Sequence, residues 1–106
     1  MGRKKQEILE FDVVELLDTE EKQAAYLSAE FAEGDPHYIK IALANIARAR
    51  NMTELAKKAG IPRASIYRAL SENGNPEYET IQKIVDAMDM QLVVVPKGAR
   101  LEIHVT

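Results

Sequence analysis

Glycine and proline cut this chain into short pieces. Gly34-Asp35-Pro36, Gly60 with Pro62 two residues on, and Gly74-Asn75-Pro76 each end one helical pattern and open the next. What can fold between them is a set of short helices, none able to stand alone in water, so each must bury an apolar stripe against its neighbours. A length of 106 residues allows one domain with a modest core and excludes an elaborate multidomain enzyme.

Residues 1–17 read as a loosely held arm, because Gly2 to Glu7 supply little to bury; Ile8 and Phe11 are its docking side chains. The helical domain is expected over residues 18–89. Asp18 can cap a first helix, with Glu21 three residues on and Ala24, Leu27 and Phe31 on one side. Residues 38–50 form a second, with Ile39, Leu43, Ile46 and Ala47 inward. Asn51 caps a third, Glu54 completes a capping box, and Leu55, Ala56 and Ala59 point inward. Pro62 opens a fourth helix, whose stripe is Ile66, Ala69 and Leu70. Asn75 caps and Pro76 opens a fifth that runs to about Asp89, burying Tyr78, Ile81, Ile84, Val85 and Met88.

The last residues change period. Residues 90–95 and 100–105 are rich in β-branched side chains around Pro96-Lys97-Gly98-Ala99, the pattern of a β-hairpin over 90–106. Two strands alone are marginal, so the hairpin is expected either to dock on the helices or to serve as a dimerisation element. The fold class expected is therefore mainly α: five helices with a C-terminal β-hairpin.

The net charge of −3 conceals an uneven distribution. Residues 1–40 carry −5, residues 41–70 carry +5 and residues 71–106 carry −3. A basic middle is either an ordinary solvated face or a phosphate footprint, and its pattern favours the second. Two short helices meet at Gly60, with small Ala56 four residues before it and Ile66 six after, able to plug the angle between them. That is helix-turn-helix spacing, over residues 51–71.

These residues resemble the Xre, or lambda-repressor-like, helix-turn-helix superfamily. Within it the chain is similar to addiction-module antidote proteins, a HigA-related antitoxin group. The similarity runs from Phe11-Asp12 and Tyr26-Leu27 through Gly34-Asp35-Pro36, Ala47-Arg48-Ala49-Arg50, Met52-Thr53, Leu55-Ala56, Gly60 and Ile66-Tyr67 to Ala69-Leu70-Ser71 and Gly74-Asn75-Pro76. The resemblance implies a lambda-repressor-like domain that binds a RelE- or ParE-like toxin and double-stranded operator DNA, represses its own operon, and acts as a homodimer. It makes residues 63–70 the recognition helix, with Arg63, Ala64, Ser65 and Arg68 at base-reading positions and Ile66 buried. Arg48, Arg50, Asn51, Lys57, Lys58 and Tyr67 are expected along the DNA backbone, while Ala56, Gly60 and Ile66 shape the motif. Met52 and Pro62 depart from the superfamily's usual Gln and Ser or Thr, which removes polar groups that contact DNA in relatives.

Two other readings compete: an Xre-type regulator without a toxin, and a helical protein-interaction module that does not bind DNA. The dimer contact falls to the hairpin or to the fifth helix. An enzyme is not expected. The chain has no Cys, and His37 and His104 sit in no catalytic or metal motif, so neither metal nor cofactor is expected. Apolar runs of only about four residues rule out a membrane span, and the composition fits a cytoplasmic protein.

Overall fold

The computed structural model describes residues 13–99. A single 3-10 turn, Val13–Leu16, leads into five α-helices: α1 (Glu20–Glu33), α2 (Pro36–Ala49), α3 (Met52–Ala59), α4 (Arg63–Ala69) and α5 (Tyr78–Ala87). Local chemistry sets most of the boundaries. Thr19, not Asp18, caps α1: its hydroxyl accepts from Lys22 N at 3.1 Å. Asp18 accepts instead from Lys22 Nζ at 3.0 Å, and that hydrogen bond, reinforced by the lysine's charge, holds its carboxyl below the usual carboxylate range. Asp35 caps α2 by accepting from His37 N at 3.0 Å, with Pro36 in the first helical position. Asn51 caps α3 by accepting from Glu54 N at 3.1 Å, and Gly60 closes it in the left-handed conformation at φ 71°. The fifth helix starts later than Asn75-Pro76 suggests: its cap is Glu77, which makes no side-chain capping bond.

Packing follows the stripes. The 3-10 turn and α1 lie on α2, and α3 packs on α2, α4 and α5. Leu43, Ile46, Ile66, Ile84, Val85 and Met88 form the fully buried centre, each worth about 1.5–3 kcal/mol of removed apolar surface. Tyr78 leaves the expected stripe, 66% exposed at the open start of α5, whereas Met52 joins the core. Leu17, at the end of the expected arm, is also buried, while Ile8 and Phe11 lie outside the described residues. Three polar side chains, Gln23, Glu30 and Asn45, are buried as well. Gln23 Nε2 donates to Leu17 O at 3.0 Å, and Asn45 Nδ2 to the Tyr26 hydroxyl at 3.0 Å.

Among the described residues the expected C-terminal β-hairpin is not formed. Among the described residues there is no β-strand; residues 90–95 make no ladder, and residues 100–106 lie outside the described part. Val94 is 98% exposed and Val93 and Val95 also face solvent, whereas Met90 and Leu92 pack, partly buried, against the helical core. β-Propensity measures fit against cross-strand and same-face neighbours more than any backbone preference. Composition favours a strand at residues 90–95, for which no partner is formed among the described residues. Among the described residues the architecture is a five-helix bundle.

The chain between α4 and α5 passes very close to the end of α4. A Cβ built on Gly74 would collide with the carbonyl oxygens of Arg68 and Ala69 and lie 2.7 Å from the Ala69 carbonyl carbon. Backbone cannot swing aside as a flexible side chain can. Gly74→Ala is expected to destabilise the fold by about 1–3 kcal/mol, read as a lower urea midpoint at unchanged slope.

Candidate nucleic-acid interface

The junction of α3 and α4 is closed by its own backbone. Gly60 N donates to Ala56 O at 2.9 Å and to Lys57 O at 3.2 Å, and Ile61 N donates to Ala56 O at 3.2 Å. These bonds satisfy two carbonyls of the last turn of α3 and help turn the chain there. Pro62 then precedes α4 without a side-chain cap. Ala56 and Ile66 are both buried at the crossing, Ile66 completely.

At about 100° per residue, a seven-residue helix pinned by Ile66 and Leu70 must turn Ala64 and Arg68 away from the core. Both are exposed, with Arg63 and Tyr67 exposed on one flank and half-buried Ser65 on the other. The Arg63 flank faces the start of α3: Arg63 Nη1 donates to Thr53 Oγ1 at 3.3 Å, and the Arg63 guanidinium carbon lies 5.6 Å from the centroid of the Tyr67 ring. On the other flank Ser65 and Arg68 border an open depression of about 410 Å3, whose far wall includes Asn73, Asn75, Glu77 and Thr80.

The remaining basic residues divide into two groups. Lys57, one turn beyond Thr53 on the same face of α3, is exposed and has no ion-pair partner among the described residues. Arg48 is exposed but tied to Asn45, donating from Nη2 to Oδ1 at 2.6 Å. Arg50 and Lys58 converge on Asp89. Lys58 Nζ lies 3.1 Å from Asp89 Oδ2, and Arg50 Nη2 lies 3.7 Å from the same oxygen while its Nη1 donates to buried Gln23 at 2.8 Å. Asp89 reaches them from a left-handed backbone, φ 62°, immediately after α5. The fold thus presents Arg63, Ala64, Ser65, Tyr67 and Arg68 on α4, with Lys57 on α3 and Asn51 at its cap, and draws Arg50 and Lys58 into a tie with the end of α5.

Thr53, Asp89 and Lys40 are the residues that the sequence reading missed. Lys40, on α2, donates its ammonium to three carbonyl oxygens beyond α4: Ser71 at 3.1 Å, Glu72 at 3.0 Å and Gly74 at 2.6 Å. All three donors of the ammonium are used on a single turn. No spacing rule reaches across 31 to 34 residues to find it.

A family model described as "Probable addiction module antidote protein" matches residues 7–96. The chain belongs to this addiction-module antidote family. The antidote is also 42% identical over 89 residues to an uncharacterized protein of Haemophilus influenzae, an alignment covering 84% of this chain and 92% of the relative. No solved structure matches significantly. The match takes in all five helices of the antidote and assigns it to a regulatory, non-catalytic family. Among the described residues, no helix is long and apolar enough to cross a membrane.

The antidote's α4 is held in place by its neighbours, and Lys40 carries a share of that. Lys40→Met is expected to lower unfolding free energy by about 1–2 kcal/mol, since three carbonyls lose a charged donor. Lys57→Met should stay within about 0.5 kcal/mol of wild type in the same denaturant titration.

Proposed function

We propose that this antidote is an Xre-type helix-turn-helix antitoxin that reads operator DNA with α4, binds a RelE- or ParE-like toxin, and represses the operon encoding both. The observation that carries the DNA reading is the outward face of α4. Two arginines and a serine sit around an exposed alanine on a short helix whose opposite side is locked by Ile66 and Leu70. A helix so presented fits the major groove, where an arginine fork pairs with O6 and N7 of guanine. Arg63 is assigned that fork, with Ala64, Ser65 and Arg68 completing the reading set. Lys57, Arg48, Asn51 and Tyr67 are assigned to the backbone, which positions the protein without carrying sequence information. Arg50 and Lys58, shared with Asp89, contribute less to that attraction.

Family membership and the likeness to HigA-related antitoxins support the toxin partner, and the acidic flanks of the chain complement a basic one. One α4 reads only a few base pairs, so the working form is a homodimer on half-sites about one helical turn apart. Of the two elements expected to make the dimer contact, α5 is the one formed among the described residues, and the contact is assigned to it. These roles belong in the cytoplasm.

Arg63→Ala is expected to weaken binding to the upstream operator duplex by about 1–3 kcal/mol and to narrow the gap to a scrambled duplex, while Lys57→Ala weakens both alike and flattens the salt dependence. Equal losses for Arg63→Ala on the two duplexes would remove it from the reading set. Co-expression with the neighbouring gene tests the partner: a small basic protein that co-purifies and tightens operator binding is expected. Operator binding with no such protein would leave a toxin-free Xre regulator.

A further inference from the structure

We infer that Thr53 is a positioning residue whose hydroxyl orients Arg63, so that part of the antidote's DNA selectivity resides on α3, outside the reading helix. The inference rests on the proposed reading of DNA by α4. An exposed arginine ordinarily samples many rotamers, and each must be given up on forming a fork with a base. Here the guanidinium is held from two directions: Thr53 Oγ1 accepts from Nη1 at 3.3 Å, and the Tyr67 ring one turn along α4 lies 5.6 Å from the guanidinium carbon. No carboxylate competes for it among the described residues. The hydrogen bond uses Nη1, which leaves Nε and Nη2, the two donors of the side-on edge, for a pair of acceptors. A contact to one end of the fork thus fixes the plane in which the other end reads.

Thr53 is itself exposed near the start of α3, so its side chain is not spent on the core. The neighbouring Met52 is buried, which makes Thr53 the polar side chain of that turn that reaches Arg63. Its effect runs through Arg63 alone, and this separates positioning from a direct contact or a stability effect.

The test uses the full chain and a duplex selected by it from random-sequence DNA, compared with a scrambled version. Thr53→Val, which keeps the shape and removes the hydroxyl, is expected to lower the ratio of selected to scrambled affinity about three- to tenfold, leaving scrambled affinity unchanged. Thr53→Ser should restore the ratio, and Thr53→Val should have no further effect in an Arg63→Ala background. A wild-type ratio in Thr53→Val, or the same loss with Arg63 already gone, overturns the positioning role and leaves DNA reading by α4 intact. Failure of the full chain to enrich any sequence overturns both.

Discussion

The burial of Ile66 is the interaction on which the rest depends. A seven-residue helix has almost no stability of its own, because nucleation consumes most of what two turns of hydrogen bonds return. α4 persists because Ile66 and Leu70 are buried in the core that α3 and α5 share. That single anchor also fixes rotation: with Ile66 inward, Ala64 and Arg68 have only solvent to face. The chemistry on the outer surface of α4 is therefore set by an apolar side chain on its inner one.

Around this anchor the structure uses polar ties where apolar area is scarce. Lys40 gathers the carbonyls of the turn beyond α4, and Gly74 lets that turn lie against the helix end without a side chain between them. Asp89 joins the ends of α2 and α3 to the end of α5. Exposed pairs of this kind add at most about 1 kcal/mol each, so their effect is on where elements sit more than on whether they fold. Gln23 does similar work inside, bridging the Leu17 carbonyl and the Arg50 guanidinium.

Much of this was legible in the sequence because it is local. Asp35, Asn51, Gly34 and Gly60 act within one turn of themselves, and each stands where its neighbours require it. Stripes such as Leu43, Ile46 and Ala47 are equally local, and they are buried. What escaped the reading depends on distance. The partners of Lys40 lie more than thirty residues away, and those of Asp89 are at the ends of two other helices. α5 starts later than Asn75-Pro76 suggests, because such a pair suits a turn as well as a cap. For the hairpin, β-branched residues are present, but among the described residues nothing offers the pairing that would make them a strand. Arg63 is recognisable as an outward residue through the resemblance to the Xre-type superfamily, but Thr53 is not, since ten residues and a change of helix separate the two.

The carboxylate of Asp89 also shapes the field around the molecule. By sitting between Arg50 and Lys58 it mutes two of the six cations in the basic middle, on the side where α5 ends. Arg63, Arg68 and Lys57 keep their full charge on and beside α4. None of these three has a carboxylate partner among the described residues, so an approaching polyanion meets the least compensated charge of the basic middle on and beside α4.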